Sequence, residues 1–254
     1  MNSKLDRVPL IVGDCRIEFD AHSLETVVWN IANVKPRQWE RVITPNLHHI
    51  HLLRTQPELY EVYSQASLLL ADGWPVAWIL GVVRRRSVDR VAGSDLLESV
   101  LATAGHGKAL VLVGGRDSGA LESVANRGRA AGWNVACEPA PASEIDDETT
   151  RADLVHRVAA KADGGIVVLG LGTPKQERLA SELSSKSGSG YILCLGMAIN
   201  FSAGIVKRAP KWMRKYNLEW IFRIMQETRR LLPRYVRDAT SLIPLLADNV
   251  RTNK

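Results

Sequence analysis

Cysteine is scarce in this sequence: Cys15, Cys137 and Cys194 are odd in number, widely spaced and form no C-x-x-C pair. That excludes a disulfide framework and a paired-cysteine zinc site, and it fits a reducing, cytoplasmic setting. G-x-S-x-G, H-E-x-x-H and G-x-x-x-x-G-K-[ST] are also missing, which argues against nucleophile-elbow hydrolases, zinc metalloproteases and P-loop enzymes. There is no internal repeat and no low-complexity tract. An unbroken membrane-spanning run is lacking too. The nearest approach is Ala66–Val83, followed by Arg84-Arg85-Arg86, but Asp72 lies at its middle. A carboxylate at a helix centre costs roughly 2.5–3.5 kcal/mol to insert, and Gly73 and Pro75 break a helix there. A buried strand, a turn at Asp72-Gly73 and a following helix is the simpler reading. The apolar stretch Val8–Gly13 is too short for a signal peptide.

With 46% hydrophobic and 24% charged residues in 254, the composition is that of an ordinary globular protein with ample material for a core. The net charge of +6 is unevenly placed. Residues 205–254 hold twelve Lys/Arg against four Asp/Glu, a net of +8, whereas residues 1–204 are at −2. This divides the chain into an α/β domain over 1–204 and a basic, amphipathic helical appendage over 205–254. In the appendage Trp220, Ile221, Ile224, Met225, Leu231, Leu232, Tyr235 and Val236 alternate with Arg223, Arg229, Arg230, Arg234 and Arg237, before the apolar Leu242–Leu246.

Short apolar runs alternating with amphipathic stretches predict βα units and a mainly parallel, Rossmann-like sheet flanked by helices. Strands are expected at Arg41–Thr44, Leu68–Ala71, Ala109–Val113, Asn134–Cys137, Ile166–Leu169 and Tyr191–Leu195. Helices are expected at Ser23–Asn33, Asn46–Ser64, Ser94–Ala104, Ser118–Ala131, Glu148–Ala162 and Pro174–Ser185, with surface connections at Pro139–Glu148 and Ser184–Gly190. Ligands of such sheets bind beyond the carboxyl ends of the strands, so the residues there carry the interest.

Gly114-Gly115 is a tight turn or a phosphate-holding helix start, without the full dinucleotide-binding spacing. Gly170-Leu171-Gly172-Thr173-Pro174-Lys175-Gln176-Glu177 is richer. Its glycines permit close backbone approach, and Lys175 and Gln176 fall in a helix's first turn, which favours an anionic or hydroxyl-rich ligand. Thr44 and Asn46 serve as helix-capping residues or as hydroxyl-binding side chains. His48 and His51 share a helix face, but no acidic or thiol ligand completes a metal set, so no metal site is assigned. Asp72, beside Leu68–Ala71 and Trp74, is either a turn aspartate or a partly desolvated carboxylate raised toward general-base range. No D-x-D pair accompanies it.

Together these segments resemble the WecG/TagA/CpsF family of bacterial glycosyltransferases. The matching motifs are Thr44-Pro45-Asn46, Ala71-Asp72-Gly73, Asp89–Leu96, Gly170–Glu177 and Arg208-Ala209-Pro210-Lys211-Trp212-Met213-Arg214, running on through Leu218–Arg223. The resemblance covers roughly Arg41–Arg237 and implies transfer of a sugar from a UDP-sugar to a polyprenyl-diphosphate-linked sugar. N-acetylmannosamine or its uronic acid is the default donor sugar, and the products are precursors of cell-surface polysaccharide or teichoic acid. It implies Asp72 as the base for the acceptor hydroxyl, and Thr44 and Asn46 around the acceptor or sugar. Gln176 and the glycines near it, Gly172 among them, would contact the UDP-sugar. Gly73, Arg90, Lys175, Asn200, Arg208, Arg214 and Arg223 are further substrate-binding candidates, and arginines and helix N-termini can supply positive potential to the departing diphosphate without a metal. It implies no cofactor and no metal, an inverting transfer, an appendage that meets an anionic membrane surface on the cytoplasmic face, and leaves homo-oligomerisation open. The chain departs from the family pattern at Asn200, where Asp is usual, at Thr228, where Pro is common, and at Asp89, where Glu precedes Arg90. Two other classes compete. A nucleotide-sugar-binding or dehydrogenase-like domain would use the Gly114-Gly115 turn, but lacks an acidic ribose-binding residue. A nucleic-acid-binding protein would use the basic tail with Trp212, Tyr216, Trp220 and Tyr235, but does not need Leu231, Leu232 and Leu242–Leu246.

Overall fold

Alternation of side chains along the central strands divides the interior into two cores, one on each face of a sheet. In the computed structural model, which describes residues 6–251, the strands are β1 (Arg7–Val12), β2 (Cys15–Asp20), β3 (Trp39–Ile43), β4 (Leu68–Leu69), β5 (Ala109–Gly114), β6 (Asn134–Glu138), β7 (Gly165–Gly170) and β8 (Gly190–Cys194). Val111 and Val113 of β5, Val167 and Leu169 of β7, and Ile192 and Cys194 of β8 enter one core. Their neighbours Leu110, Leu112, Ile166, Val168, Tyr191 and Leu193 enter the other. Strands buried on both faces read as continuous apolar runs, which is why all six expected strands were recognisable.

The sheet order is β4-β3-β8-β7-β5-β6, and every pairing within it is parallel. The chain runs outward from β3 to β4, crosses to build β5 and β6 at the other edge, and then fills the middle with β7 and β8. All six carboxyl ends therefore share one rim, with those of β4, β3, β8 and β7 side by side. This is the architecture the sequence predicts, with helices on both faces.

One element was not anticipated, and two local expectations need correction. β1 and β2 form an antiparallel hairpin that covers one face through Val8, Leu10, Val12, Ile17 and Phe19. Its Asp20 carboxylate accepts from the Leu69 N–H at 3.0 Å and so ties the hairpin to the two-residue edge strand β4. The single helix expected over Asn46–Ser64 is broken into Leu47–Thr55, a 3₁₀ turn at Pro57–Leu59 and Tyr60–Ser64, because Pro57 has no N–H to continue the ladder. The stretch Pro139–Glu148 contains a short helix, Ala142–Asp146, that buries Ile145.

Among the described residues, the basic appendage forms four helices, Lys211–Lys215, Glu219–Gln226, Thr228–Ala239 and Leu242–Arg251. It folds back onto the body. Leu231 and Leu245 are buried, and Leu245 joins the same core as the hairpin. Asn249 donates to the Ile11 carbonyl and accepts from the Ile11 N–H. Two histidines clamp the appendage to helix Leu47–Thr55, His48 Nδ1 lying 2.9 Å from Asp238 Oδ1 and His51 Nδ1 lying 2.9 Å from Ser241 Oγ. Met225, Leu232, Val236 and Ile243 point outward instead. No described helix is long and apolar enough to cross a membrane.

Candidate active site

The rim at the carboxyl ends of β3, β4, β7 and β8 gathers the residues that the motifs single out. Asp72 follows β4, its N–H donating to the Pro45 carbonyl, so the β3 and β4 loops are joined directly. Gly73 next to it has φ +85, a left-handed conformation that a side chain would strain, and it lets helix Trp74–Arg84 start immediately after the carboxylate. Asp72 is half-buried, and no hydrogen bond from a described residue reaches its carboxyl oxygens. Burial pushes its pKa up to about 6; Glu219 reinforces the rise, whereas Arg90, His49 and Arg223 oppose it. The group is thus a carboxylate poised near neutral pH with free lone pairs, which suits a general base.

Thr44 and Asn46, from the β3 loop, turn out to hold the rim together. Thr44 is buried and donates to the Cys194 carbonyl at 3.3 Å. Asn46 caps helix Leu47–Thr55, its Oδ1 accepting from the His48 N–H at 3.0 Å, while its own N–H donates to His49 Nδ1 at 3.2 Å. That leaves His49 Nε2 to face Glu177 Oε1 at 3.3 Å. Glu177 is fully buried and also accepts from Thr173 Oγ1 at 2.8 Å and Gln176 Nε2 at 2.7 Å. Burial opposes its ionisation, but the His49 ring beside it and the bonds from Gln176 and Thr173 outweigh burial and hold its pKa below the ordinary value. His49 packs edge-on to the buried Tyr63 ring. A polar network of Glu177, His49, Gln176 and Thr173 therefore underlies the rim, connecting the β3 and β7 loops.

Gln176, in the first turn of helix Lys175–Ser184 as expected, also belongs to that network. Its side chain is buried, and its Oε1 accepts from the Gly196 N–H at 2.9 Å, tying the β7 loop to the β8 loop. Lys175 is exposed and pairs with Asp146. Gly172 borders open space, where an added Cβ would meet nothing within 4 Å. Gly170, by contrast, allows close packing, since a Cβ there would lie 2.5 Å from Ile199. The Gly114-Gly115 segment is a tight turn with φ +88 and +84, and the helix after it is capped by Asp117. Asn200, beyond β8, is buried, and its Oδ1 accepts from the Arg116 N–H at 2.8 Å. It fastens the β8 loop to the β5 loop.

The appendage reaches this rim. Arg90 lies 3.7 Å from Glu219, and Glu219 and Arg223 both act on the Asp72 carboxyl. Arg223 stacks over Phe201 with its guanidinium 5.5 Å from the ring centre. Asp95, in the first turn of helix Gly93–Ala102, accepts from Arg208 at 2.9 Å and Arg214 at 3.4 Å. Each of these arginines keeps a buried Nε without a partner among the described residues. The structure therefore brings Asp72, Gly73, Arg90 and Arg223 together, with Arg208 and Arg214 drawn to the body by Asp95. Thr44, Asn46, Gln176 and Asn200 form the scaffold beneath them. Lys175 lies aside, on an exposed ion pair. Sequence reading missed His49 and Glu177 as partners and Asp95 as the anchor of the two tail arginines. Among the described residues, no group of three or more His, Cys, Asp or Glu side chains is arranged to hold a metal ion.

Comparison with known proteins places the chain in a family. A stretch of 168 residues is 26% identical to the N-acetylglucosaminyldiphosphoundecaprenol N-acetyl-beta-D-mannosaminyltransferase of Bacillus subtilis (strain 168). The match spans 66% of this chain and 64% of that relative. The model of the glycosyl transferase WecG/TagA/CpsF family matches residues 13–254, from the hairpin turn through the appendage that carries Glu219 and Arg223. Rim and appendage thus fall within one continuous family match, and the chain belongs to the WecG/TagA/CpsF family of glycosyl transferases.

Proposed function

We propose that this chain is a glycosyltransferase that moves a sugar from a UDP-sugar to a sugar held on a polyprenyl diphosphate, making precursors of cell-surface polysaccharide or teichoic acid. N-acetylmannosamine, or its uronic acid, is the default donor sugar. The observation that carries the reading is Asp72, a half-buried carboxylate with a pKa of about 6, without a hydrogen bond to its carboxyl oxygens among the described residues, and flanked by Arg90 and Arg223 at the sheet's carboxyl rim. Family membership supports the reaction class, and the Bacillus relative's name supports a lipid-diphosphate acceptor.

In this mechanism Asp72 accepts the proton of the acceptor hydroxyl as that oxygen attacks the anomeric carbon. The bond from that carbon to the diphosphate oxygen breaks, and the electron pair leaves with UDP. Attack from the face opposite an α-linked diphosphate gives a β-linked product, the linkage in the relative's name. Developing charge on the diphosphate is met by Arg208, Arg214 and Arg223. Fixed positive groups aimed at developing charge provide the electrostatic stabilisation that such a step needs, and the unpartnered Nε groups of Arg208 and Arg214 support that role. Asn46, Gln176 and Asn200 act by holding the loops in register.

The outward Met225, Leu232, Val236 and Ile243, interleaved with exposed Arg229 and Arg237, support a peripheral position on the cytoplasmic face of an anionic membrane. A nucleic-acid role is disfavoured by the same apolar face.

The test is to incubate the protein with a panel of UDP-sugars and a short-chain lipid-diphosphate-linked N-acetylglucosamine, and to identify products by mass. One added sugar residue on the lipid, with UDP released in equal amount, supports the reading. No transfer from any UDP-sugar overturns it.

A further inference from the structure

Helix Trp74–Arg84 is apolar on two sides. Val76, Ile79 and Leu80 enter the core, yet Trp74, Trp78 and Val82, spaced four residues apart on another face, are 38%, 48% and 42% exposed. Large apolar side chains in such a stripe need a cover. The stripe lines a groove of about 580 Å³, a size ordinary for a small-molecule ligand. Arg85, Arg86 and Arg90 line it as well, and no acidic side chain does so among the described residues. Arg84 is paired with Asp6, whereas Arg85 and Arg86 are exposed with no carboxylate partner among the described residues. Asn217 of the appendage closes one side.

The order of chemistry along this groove is informative. Arg90 lines the groove, and the Val91 N–H donates to the Ala71 carbonyl at 2.8 Å, which holds the Arg90 segment beside Asp72. Trp74 follows Asp72 by two residues, and the stripe to Val82 runs outward for about 12 Å at 1.5 Å per helical residue. Carboxylate, guanidinium and apolar track thus succeed one another. A molecule with a sugar hydroxyl, then a diphosphate, then a branched hydrocarbon presents its parts in that same order.

We propose that the groove along helix Trp74–Arg84 is the subsite for the isoprenoid diphosphate part of the acceptor, with the diphosphate at Arg90 and the first isoprene units on Trp74, Trp78 and Val82. This rests on the lipid-linked acceptor proposed above. Arg85 and Arg86 flank the outer mouth, where the hydrocarbon passes on to the membrane.

The test measures binding of farnesyl diphosphate and of inorganic pyrophosphate to the full-length protein by calorimetry. Farnesyl diphosphate should bind at least tenfold more tightly than pyrophosphate. Trp78→Glu and Val82→Glu should each weaken farnesyl diphosphate at least tenfold and leave pyrophosphate unchanged. Trp78→Ala, which removes contact without adding charge, should weaken it in the same direction, and Trp29→Glu, in a separate surface groove, should have no effect. In the transfer assay the KM for a farnesyl-diphosphate-linked sugar should rise in the same variants while the UDP-sugar KM stays constant. Wild-type affinity in Trp78→Glu and Val82→Glu overturns the proposal. So does loss of vesicle association in these variants with farnesyl diphosphate affinity intact, since the stripe would then be a membrane-facing surface. If no UDP-sugar is transferred to any acceptor, the functional reading falls, while the binding comparison still decides the groove.

Discussion

Replacing Asp72 with Asn should make the protein more stable and inactive at the same time. The carboxyl ionises at 3.8 ordinarily and at about 6 in the folded protein, chiefly because of burial. Two units at about 1.36 kcal/mol each amount to roughly 3 kcal/mol held against the folded state when Asp72 is charged. Since the residue is half-buried, solvent screening reduces this to about 1–3 kcal/mol. The sign follows from proton occupancy. Below 3.8 folded and unfolded chains both carry the proton. Between 3.8 and about 6 the folded protein keeps a proton that the unfolded chain has lost, so stability declines with rising pH, and above about 6 the cost is constant. Asn is neutral throughout and nearly isosteric. Urea unfolding near neutral pH should therefore give Asp72→Asn an advantage of about 1–3 kcal/mol, a few degrees in Tm, shrinking toward zero as the pH approaches 4. Wild-type kcat/KM should fall on the acid side with a midpoint near 6, and the variant should lose at least about 10²-fold in turnover with UDP-sugar affinity intact. A variant less stable at neutral pH, or an advantage independent of pH, would refute the electrostatic reasoning. Wild-type turnover in Asp72→Asn would remove it from the chemistry.

Glu177→Ala should cost about 3–5 kcal/mol in urea unfolding, because it leaves His49, Gln176 and Thr173 facing an empty site. In the wild type, Glu177's contribution is present above its ordinary value of 4.5 and is lost as pH falls through the lower folded value. Asn200→Asp retains the acceptor for the Arg116 N–H and should shift stability by less than about 1 kcal/mol, whereas Asn200→Leu strands that N–H and should cost about 1–3 kcal/mol. Arg229→Ala with Arg237→Ala, both exposed, should weaken sedimentation with anionic vesicles by about 1 kcal/mol per arginine and leave transfer to a short soluble acceptor unchanged; undiminished sedimentation would place the membrane contact elsewhere. Transfer should proceed in EDTA, and a strict need for Mg²⁺ or Mn²⁺ would overturn the assignment of charge stabilisation to the arginines.

The six-stranded sheet was readable because strands buried on both faces are continuous apolar runs ending in Gly or a small polar residue, as at Val113-Gly114 and Leu169-Gly170. The hairpin carried a weaker signal. Val8, Leu10 and Val12 alternate across a Gly13-Asp14 turn from Ile17 and Phe19, but Ile11 fills an intervening position and Pro9 sits inside the strand, so the stretch reads as one short apolar run. Helix Ala142–Asp146 is too short for periodicity to register, and only burial of Ile145 gives it a place.

At the site, local chemistry singled out Asp72 without deciding its part, because an Asp-Gly pair after an apolar strand fits a turn aspartate as well as a desolvated base; the Ala71-Asp72-Gly73 motif is what implied the base. The inward turn of Gln176 was also available, since it precedes Leu179 and Leu183 by three and seven residues and so lies on the buried stripe of its helix. Glu177 binding His49, and Asp95 binding Arg208 and Arg214, join segments far apart in the chain, and no spacing rule reports them. That limit bears most on the tail. Its +8 charge suggests a detachable basic face, but a sum over residues does not say where each charge points. Arg208 and Arg214 are engaged with Asp95, Arg223 stacks on Phe201 and Arg234 lies 4.0 Å from Asp238, whereas Arg229 and Arg237 are exposed. Leu231 and Leu245 are buried against the body. Deleting the tail would therefore expose core and unpair Asp95 as well as remove positive charge. Loss of activity in a truncated chain would say little about the membrane; only substitution of the outward arginines separates attachment to a surface from completion of the site.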